Sequence, residues 1–271
     1  MAEYYFHTRK MSVGYRGRPL IKDMEIGLRK GEILTLIGPN GAGKSTVLKS
    51  IARQLKLVGG VACLDGMELA GMSGTELSRK MAVVFTEKLK AELMTCQDVV
   101  ATGRYPYTGH FGLLSKEDDA VVREAMELVH VSEIGNRDFA KISDGQRQRV
   151  MLARAISQEP EIIVMDEPVS YLDIKHKIEF LSLLWELREK KGITVIMSLH
   201  ELELAKIVSD KVLCLKGEYV GKYGTPEEII QPEFIEKLFD ISEDDFSGKE
   251  KFLDYVRQIG RDYGYGKERG Y

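Results

Sequence analysis

The stretch "EILTLIGPNGAGKSTVLKSIARQL", residues 32–55, has three parts that follow one another without a break. The first is a short apolar, β-rich run ending at Gly38, the pattern of a buried strand. The third, from Lys44, places Val47, Leu48, Ile51, Ala52 and Leu55 on one helical face. Between them, Gly38, Gly43, Lys44 and Ser45 satisfy the spacing G-x-x-x-x-G-K-[ST]. Strand, glycine loop and helix in this order open an α/β unit that holds phosphate. The loop Gly38, Pro39, Asn40, Gly41, Ala42 and Gly43 lets successive backbone N–H groups wrap an anion. Lys44 brings a point charge to the β- and γ-phosphates, and the Ser45 hydroxyl, followed by Thr46, is a hard oxygen suited to Mg²⁺. Ser45 and Thr46 stand where a dinucleotide fingerprint would need glycine, so the expected ligand is a nucleoside triphosphate.

Outward from this stretch, strands and helices alternate. "KMAVVF" (80–85) and "EIIVMDEP" (161–168) read as further strands, and "ITVIMSLH" (193–200) as another that ends at His200. The run "DIKHKIEFLSLLWELREKKG" reads as a helix closed by Gly192, and "KVLCLKGEYVGKYGTPEEI" as a hairpin followed by a capped helix. This alternation predicts a mainly parallel sheet. The block at about 87–158 is mostly helical, with Ser115 as an N-cap, and is expected to be a helical subdomain inserted in the core. The tail holds one amphipathic segment, "KFLDYVRQI", before a Gly- and charge-rich end.

Two further stretches carry chemistry. Asp166 and Glu167 end the strand "IIVMDEP": the first acid can hold the shell of Mg²⁺, the second can orient and deprotonate water. Having both points to hydrolysis rather than binding alone. "KISDGQRQRVMLARA" (141–155) opens a helix at Ser143 and presents bare N–H groups, a second anion site on one chain.

These residues together resemble the nucleotide-binding subunits of ATP-binding cassette transporters, over about residues 4–240. The resemblance implies a P-loop NTPase core of α/β class, with a mainly parallel sheet, an antiparallel β part and the inserted helical subdomain. The implied domain is 1–240, with 241–271 a short C-terminal helical extension and tail. It implies ATP and Mg²⁺ as ligands, with Glu167 as general base and His200 as the γ-phosphate contact that orients the attacking water. Tyr15 would stack on adenine. Ser143, Gly145 and Gln146 would cap ATP held by the loop of a second copy, and Asp173 would communicate across that head-to-tail homodimer. Thr86 in "VVFTEK" stands where the family has a metal- and water-sensing Gln; it offers a hydroxyl, and Glu87 beside it could reach the metal instead. Asp144 replaces the usual glycine; a carboxylate facing a triphosphate would repel it, so it must point away, as an extra cap on the helix.

Within the family, "DVVATGRYPYTGHFGLLSKED" (98–118) resembles importers of iron–siderophore complexes, haem and cobalamin. The implied function is an ATPase that powers uptake through a separate membrane permease, indirectly fed by a substrate-binding protein. Its place would be the cytoplasmic face of the membrane. The alternative is a soluble cassette ATPase in DNA repair, ribosome or cluster assembly. Such proteins tend to carry coiled-coil insertions, tandem cassettes or basic arms, and none is visible here. The net charge of -3 provides no basic excess for nucleic acid. Cys63, Cys96 and Cys214 show no metal-ligand spacing and are expected to be reduced thiols. No apolar run reaches the length of a membrane span and the N-terminus lacks a signal-like apolar region, so the chain is expected neither to cross a membrane nor to be exported by that route.

Overall fold

The structure is a computed structural model that describes residues 4–85, 91, 93–109, 112–217 and 219–239. Thr86, Glu87 and the segment "KFLDYVRQI" lie outside the described residues. Residues through Gln231 form one unit, and those from Pro232 a second, in which α9 (Pro232–Leu238) is described.

In chain order the first unit contains β1 (Phe6–Tyr15), β2 (Arg18–Met24), β3 (Gly27–Leu28), β4 (Ile33–Ile37), α1 (Lys44–Ile51), β5 (Gly59–Leu64), β6 (Met67–Glu68), α2 (Gly74–Lys80) and β7 (Met81–Val84). It continues with α3 (Cys96–Ala101), α4 (Lys116–Leu128), α5 (Asp144–Ser157), β8 (Ile162–Met165), α6 (Ile174–Lys191), β9 (Thr194–Ser198), α7 (Leu202–Val208), β10 (Lys211–Lys216), β11 (Tyr219–Gly224) and α8 (Pro226–Ile229).

Two sheets result. The first is antiparallel, in the order β2-β1-β5-β6 with β3 also on β1. Arg16 and Gly17 join β1 to β2 with φ of 50° and 76°, the two positive values of a type I′ turn. The second sheet runs β11-β10-β4-β9-β8-β7 and is parallel except at β11. Every residue of β4, β8 and β9 is buried, as expected of strands covered on both faces. In register, Leu36 pairs with Ser198, and Met165 pairs with Met197. The carboxyl ends of β4, β9 and β8 therefore lie side by side. That edge is where ligands bind in open α/β sheets.

The core explains why α1 is held there. Helix α1 packs on β1 of the antiparallel sheet and on β8 and β9 of the parallel one. Its Val47, Leu48 and Ile51 are fully buried, among Val13 and Ile21 on one side and Leu36, Val164 and Ile196 on the other. Their burial contributes on the order of 5–9 kcal/mol.

Between β7 and β8 the described residues fold into α3, α4, α5 and short 3₁₀ turns, and the three helices pack on one another. Each opens with a reciprocal capping box: Thr95 with Asp98, Ser115 with Asp118, Ser143 with Gln146. The Gly-Arg-Tyr-Pro turn lies against the end of α5. A Cβ on Gly103 would stand 2.2 Å from Ser157 Oγ and 2.3 Å from the Arg154 carbonyl oxygen, so only glycine fits. Arg104 is buried. It donates to Asp118 Oδ1 (2.8 Å), to the Ser157 carbonyl (2.7 Å) and to Glu159 Oε2 (2.7 Å), and lies 4.0 Å over the Tyr107 ring.

The helix read as closed by Gly192 is α6, with Gly192 at φ 64° as its C-cap. The hairpin of β10 and β11 is followed by the Thr225-capped α8. Cys63, Cys96 and Cys214 are buried and free. Burial pushes the Cys96 thiol up, and that of Cys214 up to about 12. Among the described residues no helix is long and apolar enough to cross a membrane.

Candidate active site

The loop after β4 turns through glycines that no other residue could replace without strain. Gly38 has φ 146°, and a Cβ there would lie 2.2 Å from the Leu215 carbonyl oxygen. Gly43, the N-cap of α1, is left-handed at φ 95° and gives the helix no side-chain cap. The first N–H groups of α1 therefore remain available for an anion. Asn40, Gly41 and Ser45 are exposed, and Pro39 is half-buried, whereas Ala42, Lys44 and Thr46 are buried. Lys44 folds back over the loop, and its Nζ donates to the carbonyls of Gly38 (2.8 Å) and Pro39 (3.1 Å). Burial pulls the Lys44 ammonium below the usual lysine range, and the charges of Glu167 and Asp166 work against that shift. Tyr15, at the end of β1, shares a hydrogen bond of 3.0 Å with the Thr46 hydroxyl. Tyr15 is 54% exposed.

The two acids follow β8. The Asp166 N–H still bonds the Val84 carbonyl of β7 (3.0 Å), so its backbone is part of the sheet. At Glu167 the chain turns with φ 49°, an uncommon conformation for a non-glycine residue and one that concentrates at functional sites. Asp166 is buried, and its Oδ1 accepts from the Ser198 hydroxyl at 2.7 Å. The same Ser198 oxygen accepts the Glu167 N–H at 2.9 Å. The Glu167 carboxylate accepts from Ser170 Oγ at 3.1 Å, and its Oε1 lies 2.6 Å from His200 Nε2. Glu167 and His200, distant in sequence, are thus brought into direct contact because β8 and β9 are neighbours.

A second group forms around the start of α5. Ser143 Oγ accepts from the Gln146 N–H, and Gln146 Oε1 accepts from the Ser143 N–H, both at 3.2 Å. Gly145 faces α6: a Cβ on it would sit 3.4 Å from the His176 ring and 3.8 Å from Leu172. Asp173 caps α6, accepting from the His176 N–H at 3.0 Å, with its other oxygen 2.7 Å from His176 Nδ1. Hydrogen bonds from His176 hold the Asp173 carboxyl below the usual range. Asp144 lies in the exposed first turn of α5, with Oδ1 3.9 Å from Arg147 Nε. None of the hydrogen bonds or ion pairs among the described residues joins Ser143, Gly145 or Gln146 to the loop at 38–46. Thr86 lies outside the described residues.

Ser198 and Ser170 are absent from the sequence-derived set. Ser198 is marked by a hydroxyl that interrupts the apolar run "ITVIM" two residues before His200. Ser170 is marked only by its place three residues after Glu167. A cleft of about 420 Å³ lined by Ser50, Arg53, Leu57, Val61 and Leu69 lies at the C-terminal end of α1, away from these groups.

The donor set fits Mg²⁺. Ser45 and Asp166 are two hard oxygen donors, and among the described residues no cluster of three His, Cys, Asp or Glu side chains forms a protein cage. An ion that keeps most of its waters and takes phosphate oxygens asks for no more.

Comparison with known proteins shows the family. The family model for ABC transporters matches residues 21–170. An uncharacterised ABC transporter ATP-binding protein of Methanocaldococcus jannaschii is 41% identical, over 89% of this chain and 83% of that one. The iron(3+)-hydroxamate import ATP-binding protein of Bacillus subtilis is 36% identical, over 86% of this chain and 87% of that one. Among solved structures, a metal-chelate type ABC transporter in an inward-facing conformation superposes with TM-score 0.77 at 25% identity, covering 87% of this chain and 89% of that chain.

Proposed function

The chain belongs to the ABC transporter family, and from that premise we propose that it is the ATP-hydrolysing subunit of an importer for an iron–siderophore or similar metal chelate. The importer class is supported by the resemblance to the hydroxamate and metal-chelate systems. The observation that carries the hydrolytic part is the 2.6 Å contact between Glu167 Oε1 and His200 Nε2 at the carboxyl edge of the sheet. An acid held there, with only β9 between its strand and that of the phosphate loop, can take a proton from water.

The loop N–H groups and Lys44 hold the phosphates of ATP, and the exposed Tyr15 ring stacks on adenine. Ser45 and Asp166 hold Mg²⁺, with Thr86 as a further candidate; the ion draws charge off the β- and γ-phosphates when bound. Glu167 accepts a proton from the attacking water as its oxygen bonds to the γ-phosphorus and the bond to the β–γ bridging oxygen breaks, leaving ADP and phosphate. His200 orients Glu167 and the water. Ser143, exposed, and Gly145 and Gln146, half-buried, stand at the start of α5, and in a head-to-tail pair they close over ATP in the partner's loop, with Asp173 at the same seam. The helical block at about 87–158 forms a subdomain that meets the permease, so the chain is peripheral to the membrane on its cytoplasmic face.

Glu167→Gln tests this. Steady-state turnover should fall by at least ~100-fold, the order expected for loss of a general base. The variant should also elute as an ATP-dependent dimer on size exclusion. Wild-type turnover in the variant would remove Glu167 from the role of base. Recovery of the wild-type chain from solubilised membranes with a polytopic permease supports the importer; recovery with ribosomes or DNA would refute it.

A further inference from the structure

We propose that Ser198 is a positioning residue for hydrolysis: a single buried hydroxyl that sets where the Glu167 carboxylate stands relative to the Asp166 carboxylate. The inference rests on the ATPase reading above and concerns a residue outside the expected set.

The geometry leaves little freedom. Pairing of Met165 with Met197 puts residue 198 beside residue 166, at the last step of β9. Ser198 is fully buried, so no bulk water replaces its hydroxyl. Its Oγ has one hydrogen, and that hydrogen is directed at Asp166 Oδ1 (2.7 Å). The oxygen's lone pairs are then free to accept, and they take the Glu167 N–H (2.9 Å). That N–H needs an acceptor because the turn at φ 49° takes Glu167 out of the sheet ladder. One oxygen atom therefore fixes the side chain of one acid and the backbone of the next.

The consequence extends along both strands. The Glu167 side chain leaves a backbone held by Ser198 and ends against His200, which follows Ser198 by two residues. Ser170 Oγ donates to the other carboxylate oxygen. Ser198 thus anchors the root of Glu167, while His200 and Ser170 hold its tip. Loss of the hydroxyl frees Glu167 to relax from its left-handed conformation, which moves the base away from water without touching the phosphate loop. The expected signature is a fall in kcat with nucleotide binding intact.

The test uses the full chain as wild type, Ser198→Ala, Ser198→Cys and Ser198→Thr. Steady-state ATPase gives kcat and KM, and a fluorescent ATP analogue titrated in EDTA gives affinity without metal. Ser198→Ala is expected to lower kcat by roughly tenfold, equivalent to ~1.4 kcal/mol in the barrier. KM and analogue affinity should stay within threefold, and Ser198→Thr should recover at least a third of wild-type kcat. In single-turnover assays, adding Ser198→Ala to Glu167→Gln should slow the residual rate by less than threefold, because the base that Ser198 positions is already gone and only its bond to Asp166 is left to lose. If Ser198→Ala does not fold, Ser198→Cys serves in its place with the same expectation. An active wild type with Ser198→Ala within twofold of it would overturn the proposal, as would a tenfold further loss in the Glu167→Gln background. Parallel losses of kcat, affinity and melting temperature would also overturn it, reducing Ser198 to a packing residue. A wild-type chain that hydrolyses no ATP overturns the ATPase reading and this proposal with it.

Discussion

Replacing Arg104 by Met should unlock the helical region. Met keeps the apolar stem but strands the carboxylate of Asp118, whose side chain is only 8% exposed. Removing one partner of a buried ion pair costs about 3–5 kcal/mol. Asp118 still accepts from the Ser115 N–H and hydroxyl, each at 2.9 Å, which places the loss at the low end, about 3 kcal/mol. The exposed Glu159 turns to water and adds less than ~1 kcal/mol. For a unit of this size, 3 kcal/mol corresponds to roughly 6–12 °C in Tm. Circular dichroism at 222 nm follows the melt. The sign of a second substitution makes the test sharper. Asp118→Asn keeps an acceptor for Ser115 but removes the stranded charge. The Arg104→Met, Asp118→Asn double variant should therefore melt several degrees above Arg104→Met alone. A Tm within 2 °C of wild type for Arg104→Met would refute the reasoning, as would a double variant less stable than the single.

Two further predictions concern charge. Burial would raise the Glu161 carboxyl, but hydrogen bonds from the ammonium groups of Lys30 (2.7 Å) and Lys80 (3.0 Å) outweigh it and hold it down at about 2. A depressed carboxyl stabilises the fold above its unfolded value near 4.5 and loses that stabilisation as pH falls toward 2. After allowance for partial exposure the contribution is ~1–2 kcal/mol. Urea unfolding should show wild type ahead of Glu161→Gln by that amount at pH 7 and by less than half of it at pH 3; an equal gap at both pH values contradicts the sign. Asp144→Gly should keep ATPase activity within tenfold, because the Asp144 carboxylate lies on the exposed first turn of α5, 3.9 Å from Arg147. A larger loss in a phosphate-release assay would give the acid a part in turnover.

What was legible in the sequence follows from how local each signal is. The loop from Gly38 to Ser45 announces itself because the same few residues both make the turn and carry the phosphate-binding spacing. Ser115 and Ser143 are readable as caps because a capping box closes within three residues. The antiparallel sheet is implied only by the family resemblance. Strand β1 alternates buried and exposed positions irregularly, with register shifts around Val13, so no clean period of two survives. The burial of Arg104 is not legible because its partners Asp118, Ser157 and Glu159 are 14 to 55 residues away. The part of Ser198 is hidden for the same reason: its meaning lies in the register of β9 against β8, not in its own neighbourhood.

The bonds that close the far end of α5 have a mechanical consequence. Ser157 donates to the Val100 carbonyl, Arg154 Nε to the Thr102 hydroxyl, and the Tyr107 hydroxyl to the Gln158 carbonyl, each within 3.0 Å, beside the Arg104 bonds. The start of the same helix carries Ser143 and Gln146. A helix of 14 residues is a stiff rod about 21 Å long. With its rear end bolted to the Gly-Arg-Tyr-Pro turn, it cannot slide or bend independently of that turn. A push on Ser143 is therefore delivered, with little loss, beneath the exposed ring of Tyr105.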